Sequence, residues 1–323
     1  MLKAALIGCG NISRTHLKVI SENENIQLTA VCDIQRDRAD KTASEYGCEK
    51  FYSIDNLLKN GDFDVLHICT PHYLHSPMAV QALNAGKNVL CEKPMCITLN
   101  EADAIERAVK NSGKHYGVCF QNRYNPASRM MRQVLEGGSL GKILGGRAAV
   151  YWDRDENYYL ADAWRGKITT EGGGVLINQS IHTLDLLLWM IGNPVADVKS
   201  SISTKRLASY IQVEDTADLL LQFEDGQRAV FFATICNVGN DPIELNIYCE
   251  KGKITLGEKL IIHSEEGEEV YDTDKLKGEK GYWGNGHSAL IADFYDCIEN
   301  DKEFQIGFDE AKKTVEVLNK VYN

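Results

Sequence analysis

Short apolar, β-branched runs alternate with helical patterns through the first part of the chain. Residues 3–7 lead into Gly8-Cys9-Gly10 and a helix from about Ile12, and residues 27–32 precede a helix from about Arg36. Further apolar runs at 65–69, 88–91 and 115–120 are separated by helical spacing over 76–85 and 101–111. This alternation predicts parallel strands joined by right-handed crossovers, a doubly wound α/β layer whose ligands sit at the carboxyl ends of the strands. From about Gln121 the pattern changes. Runs at 218–223, 228–235, 244–249 and 253–256 are joined by Glu224-Asp225-Gly226 and Lys251-Gly252, which read as hairpin turns of an antiparallel sheet. Helices are expected over 175–191 and 288–299, and a loop folding over a ligand over 271–286. The expected domains are 1–121 and 122–323.

Composition narrows the classes of function. With 44% hydrophobic and 25% charged residues over 323 positions, the chain has the make-up of a soluble globular protein with one or two full cores. The 35 Lys and Arg against 46 Asp and Glu, a net charge of -11, disfavour nucleic acid as a partner. The start, Met1-Leu2-Lys3-Ala4-Ala5-Leu6, reads as a strand and not as a signal peptide, and no apolar run is long enough to span a bilayer. A cytoplasmic protein is expected, with no membrane partner. Ten scattered cysteines without a Cys-x-x-Cys are expected as small buried thiols, and no metal site is expected, His72-x-x-His75 included.

Gly8-x-Gly10-x-x-Ser13, between the first strand and first helix, has the form of a turn that brings backbone close to a pyrophosphate at a helix amino terminus. Gly8, Gly10, Asn11 and Ile12 are the expected cofactor contacts there. Asp33 ends the next strand 23 residues after Gly10, where a carboxylate accepts the ribose hydroxyls and repels a 2'-phosphate. NAD is therefore favoured over NADP, although Arg36 and Arg38 soften the preference.

Gly8-Cys9-Gly10-Asn11-Ile12, Thr70-Pro71-His72-Tyr73-Leu74-His75, Cys91-Glu92-Lys93-Pro94 and Gly172-Gly173-Gly174 followed by His182-Thr183-Leu184-Asp185 together resemble the Gfo/Idh/MocA oxidoreductases over essentially the whole chain. The resemblance implies a Rossmann domain followed by an α+β domain with a large open, mostly antiparallel sheet that commonly makes a homodimer or homotetramer. It implies Lys93 and His182 as catalytic residues. It also puts Thr70, Pro71, His75, Glu92, Lys93 and Gln121 on the cofactor side. The acidic residue that many members carry four positions before the histidine is Asn178 here.

The implied chemistry is hydride transfer between a nicotinamide and a ring hydroxyl or ketone of a sugar, glycoside, cyclitol or nucleotide sugar. Such a reaction needs a base for the hydroxyl proton and a positive group at the developing oxyanion, roles that His182 and Lys93 supply. A deprotonated Lys93 is an alternative base. Asn178, His182 and Asp185 fall on one helical face at i, i+4 and i+7, with Asn178 expected on a sugar hydroxyl and Asp185 either orienting the imidazole or making a helix contact. Aromatic and amide groups around 121–126 and 152–165 suit a carbohydrate pocket. Arg123 and Tyr159 are expected at the substrate, Trp164 and Arg165 near the cofactor or the substrate, and His287 either at the substrate or as a cap of the following helix. Two alternatives remain: an enzyme with retained NAD that drives elimination, and a non-catalytic NAD- and sugar-sensing protein.

Overall fold

The computed structural model describes residues 1–272 and 286–323. Of the loop expected over 271–286, residues 273–285 lie outside the described residues. The chain divides into two units, Met1–Phe120 with His287–Val315, and Gln121–Gly286 with Glu316–Asn323.

The first unit opens with β1 (Leu2–Ile7), α1 (Ser13–Glu22), β2 (Ile26–Cys32), α2 (Arg36–Tyr46), β3 (Glu49–Phe51) and α3 (Ile54–Asn60). It continues with β4 (Val65–Ile68), α4 (His72–Asn84), β5 (Asn88–Cys91), α5 (Leu99–Ser112) and β6 (Tyr116–Val118). The strands pair in parallel in the order β3-β2-β1-β4-β5-β6, so the order reverses between β1 and β4. Register then decides what meets at the carboxyl edge. Ile7 is level with Cys32 and with Ile68, and Ile68 with Cys91, which places Gly8, Asp33, Cys69 and Glu92 side by side. Leu6, Leu17, Val31, Ala43 and Cys69 form a core beneath this edge, with Cys9 and Ile12 packed against it.

The second unit holds a 3-10 turn at Gln121–Tyr124, α6 (Pro126–Glu136), β7 (Ile143–Tyr151), α7 (Glu156–Leu160), α8 (Ile181–Ile191), β8 (Val195–Ser203) and β9 (Thr216–Phe223). β10 (Arg228–Thr234), β11 (Glu244–Cys249), β12 (Gly252–Leu256), β13 (Lys259–Ser264) and β14 (Gly267–Asp272) follow. The eight strands form one sheet in the order β14-β13-β12-β11-β7-β10-β9-β8, antiparallel except where β7 and β10 run parallel. β9 buries Ala217, Leu219, Leu221 and Phe223 and exposes the alternate residues. The expected turn at 224–226 closes β9 on β10, with the Gly226 N–H donating to the Phe223 carbonyl.

Two expectations are corrected. Residues His287–Val315, expected in the second domain, return to the first unit along α9 (Gly286–Glu299) and the start of α10 (Phe308–Tyr322). The Val118 N–H donates to the Ile306 carbonyl, and Gly117 lies against Phe294 and Phe304, contacts between segments too far apart for local periodicity to register. The helix expected from residue 175 begins at Ile181. Ahead of it the Glu214 carboxylate takes the N–H groups of Gly174 and Leu176, which holds that stretch in turns. All ten cysteines are free thiols, and no helix among the described residues is long and apolar enough to cross a membrane.

Candidate active site

At the carboxyl edge of the first unit, Gly8 has φ +93°, and a Cβ there would lie 2.7 Å from the Cys69 carbonyl carbon and oxygen and 2.9 Å from the Thr70 nitrogen. No other residue fits without moving that backbone. A Cβ on Gly10 would meet nothing within 4 Å, so the space over this turn is open to a ligand. Asp33 holds the turn from the side: Oδ2 accepts from the Cys9 N–H and Oδ1 from the Gln35 N–H, both at 2.8 Å. The first residue before α1 is Ile12, whose side chain caps no N–H group, so the amino-terminal donors of the helix keep their affinity for an anion. Burial pushes the Cys9 thiol up to about 11, which keeps it protonated and unreactive at neutral pH. Arg36 lies over the Tyr52 ring at 4.3 Å.

Thr70 and Pro71 follow β4, and Glu92 and Lys93 follow β5, with the Lys93–Pro94 peptide cis. His75, expected to touch the cofactor, ties these two segments together: Nδ1 lies 2.7 Å from the Pro94 carbonyl and Nε2 2.7 Å from that of Thr70. Burial lowers its pKa, while the two carbonyls favour the protonated ring. Both ring nitrogens are committed to the loops. Lys93 is partly buried.

Glu92 is the acceptor of a buried network that sequence reasoning missed. His16 Nε2 lies 2.9 Å and His287 Nε2 3.3 Å from Glu92 Oε1. His16 Nδ1 is 2.9 Å from His67 Nδ1, and His67 Nε2 is 2.9 Å from the Tyr295 hydroxyl. Burial alone would raise the Glu92 carboxyl, but the His16 and His287 bonds hold it well below the carboxylate range, while burial pushes the Tyr295 phenol well up. With Glu92 ionised and both imidazoles neutral, the protons have one consistent order. Tyr295 donates to His67, His67 to His16, and His16 to Glu92. The His16, Glu92 and His287 ligand atoms lie within 4.8 Å of one another, close enough to hold a metal ion, and the hydrogen bonds account for that spacing by themselves. His287, expected at the substrate, joins this network. Only the spacing of His16 from the glycine turn could have hinted at it.

In the second unit, Arg123 is 2% exposed and forks onto Asp185, with Nε to Oδ2 at 2.8 Å and Nη2 to Oδ1 at 2.6 Å. The arginine expected at the substrate and the carboxylate expected either to orient His182 or to make a helix contact thus hold each other. His182 sits in the first turn of α8, buried, with Nε2 3.4 Å from Gln121 Nε2. Asn178, in the turns before α8, donates Nδ2 to Glu171 Oε1 at 2.5 Å and lies 3.3 Å from the Tyr158 hydroxyl. Arg165 bonds Asp162 at 3.0 Å, and its guanidinium lies 4.2 Å from the centre of the Tyr158 ring and 4.9 Å from that of Trp164. Gly173 and Gly174 are required by the protein itself, because a Cβ would strike Tyr322 or the Glu214 backbone. Gln121 Oε1, Asn122 Oδ1 and Asn125 Oδ1 are buried without a hydrogen-bond partner among the described residues, and Tyr159 and Gln179 are buried against each other.

The strand order, the glycine turn and Asp33 define a dinucleotide-binding α/β unit, which the chain follows with a sheet unit. The chain belongs to the Gfo/Idh/MocA family: the model of its NAD-binding Rossmann fold matches residues 2–120, and that of its C-terminal domain residues 128–255. "Uncharacterized oxidoreductase YrbE" of Bacillus subtilis is 29% identical over 70% of the chain, and the match spans 64% of that relative's length. The scyllo-inositol 2-dehydrogenase (NAD(+)) of Bacillus subtilis is 24% identical over 93% of this chain and 87% of its own. Among solved structures, the WlbA dehydrogenase of Bordetella pertussis in complex with NADH and UDP-GlcNAcA superposes with a TM-score of 0.87 at 26% identity, covering 99% of this chain and 95% of that one. The protein is an NAD-binding oxidoreductase of this family.

Proposed function

We propose that the protein is an NAD-dependent dehydrogenase acting on a ring hydroxyl or ketone of a sugar, cyclitol or nucleotide sugar. The observation that carries this reading is the glycine cradle at Gly8 with the Asp33 carboxylate bonded to it, in a chain that has Lys93 just after β5 and His182 in the first turn of α8. Relatives named for scyllo-inositol and bound to UDP-GlcNAcA support the substrate class.

The cofactor side fits NAD: Gly8, Gly10, Asn11 and Ile12 would carry the pyrophosphate, and Asp33 would take the ribose hydroxyls while repelling a 2'-phosphate. Thr70, Pro71 and Glu92 would border it, with Gln121, Trp164 and Arg165 as further contacts. Bound there, the nicotinamide supplies the hydride acceptor or donor. Lys93 places an ammonium at the substrate oxygen, where negative charge grows as the carbonyl forms. His182 takes the hydroxyl proton and returns it in the reverse direction, because imidazole exchanges protons near neutral pH. Asn178 bonds a neighbouring hydroxyl, and Arg123 acts on the pocket by holding Asp185 and the head of α8 in place.

The test is nicotinamide absorbance at 340 nm, about the wavelength of the NADH band, with scyllo-inositol, UDP-GlcNAcA and a panel of pyranosides. Turnover that falls by about a hundredfold or more in Lys93→Met, with NAD affinity kept, is the expected outcome. Full activity in that variant, or no turnover of any polyol by the wild type, overturns the reading. We also propose that the exposed face of the sheet, with Leu220, Val230 and Tyr248 at its centre, joins a second copy of the chain.

A further inference from the structure

A second carboxylate in the sheet unit is tied to the residue assigned to the substrate. Glu171 is fully buried, and both of its oxygens are engaged: Oε2 accepts from the Gly166 N–H and Oε1 from Asn178 Nδ2. Glu214 is also buried, but its partners differ. It binds the backbone of Gly174 and Leu176 and the Tyr322 hydroxyl, which are parts of the scaffold. Glu171 alone of the two reaches a side chain that the chemistry uses.

The protonation state of Glu171 therefore governs the Asn178 amide. An ionised carboxylate can only accept, so Asn178 must turn its NH2 toward Glu171. A protonated carboxyl has a hydrogen to give, and with Gly166 still donating to the other oxygen, the acceptor nearest that hydrogen is Asn178 Oδ1 once the amide has rotated. The two states present opposite hydrogen-bonding edges of Asn178 away from Glu171. A sugar hydroxyl accepts from one edge and donates to the other.

We propose that Glu171 is a positioning residue of the candidate site, which sets through its bond to Asn178 the sense of the amide that meets the substrate and reverses it on protonation. The substrate part rests on the dehydrogenase reading above, whereas the coupling of the two side chains stands independently of it. The groups facing Glu171 keep it near balance. Arg165 favours the anion from the 161–170 segment, and so do the Gly166 and Asn178 bonds. Burial and the Glu214 carboxylate before β9 oppose it; the phenols of Tyr159 on α7 and Tyr322 on α10 also face it, and the Tyr158 hydroxyl, bonded by Arg165, lies 3.3 Å from the Asn178 amide nitrogen. Burial is the largest of these effects and pushes the Glu171 carboxyl up to about 7.

The direct experiment follows the side-chain amide of Asn178 by NMR in the full-length protein labelled at asparagine nitrogen, with Asn178→Asp to assign the signal. In the wild type the signal is expected to shift with pH with a midpoint near that of Glu171, and in Glu171→Gln to stay flat. An Asn178 signal flat in the wild type between pH 5 and about pH 9 overturns the proposal, whatever the variants do. The second arm uses whichever polyol is turned over. KM is expected to rise about tenfold in Glu171→Gln with kcat less affected, and the pH dependence of KM near neutrality to flatten, while the limb that His182 gives to kcat stays. Glu171→Asp should restore the pH dependence of KM. A pH dependence of KM unchanged in Glu171→Gln overturns the substrate role. Failure of every polyol counts against the dehydrogenase reading alone, because the amide titration needs no substrate.

Discussion

The Arg123–Asp185 pair offers a quantitative test of how the sheet unit is held. Both side chains are 1% exposed, and the fork is bidentate at 2.8 and 2.6 Å. At the shorter distance and an effective dielectric of about 20, the attraction is roughly 6 kcal/mol, and the desolvation of two ions, several kcal/mol each, cancels most of it. Net stabilisation by the pair is therefore near zero, yet loss of one partner is severe, because the other keeps its desolvation cost. Arg123→Met is expected to lower stability by about 3–5 kcal/mol, and Arg123→Met with Asp185→Leu to recover to within about 1–2 kcal/mol of the wild type. Urea unfolding followed by tryptophan fluorescence reads this unit directly, since Trp152, Trp164 and Trp189 all belong to it and the Arg123 guanidinium lies 5.3 Å from the Trp189 ring centre. A single-variant cost below about 1 kcal/mol, or a double variant as unstable as the two singles summed, refutes the reasoning.

Gly8→Ala places a methyl group against the Cys69 and Thr70 backbone at a positive φ, and NAD affinity measured by fluorescence quenching is expected to fall at least about tenfold; unchanged affinity would remove Gly8 from the cradle. Glu171 titrates in the unfolded chain near its ordinary value of 4.5 and in the folded one near 7, so its contribution to stability is full below the first value and lost as pH rises toward the second. The difference amounts to about 3 kcal/mol, so Glu171→Gln should gain that much on the wild type between pH 5 and about pH 8, and a gap constant with pH would contradict the burial argument. Val230, 52% exposed on the open sheet face, should tolerate Glu in the folded unit while the mass by light scattering falls to that of one chain.

Much of the fold was legible along the chain, because the signals were local. The glycine turn, the 2-residue period of β9, the Asp225-Gly226 hairpin and the strand and helix alternation of the first 120 residues each depend on neighbours within a few positions. So did the location of Asp33 and Lys93 at strand ends, since parallel strands bring their carboxyl ends to one edge. Other features needed the folded chain. The helix expected from 175 starts six residues later because Glu214, distant in sequence, satisfies its first N–H groups. Arg123 was assigned to a ligand by residue type, and only packing showed Asp185 holding it. The network from Tyr295 through His67 and His16 to Glu92, and the bond between Glu171 and Asn178, join residues that no periodicity relates. Local propensity and hydrophobic period determine which elements form. Which buried polar group satisfies which is decided only in three dimensions, since the cost of an unpaired charge or amide is set by neighbours that the chain brings together on folding.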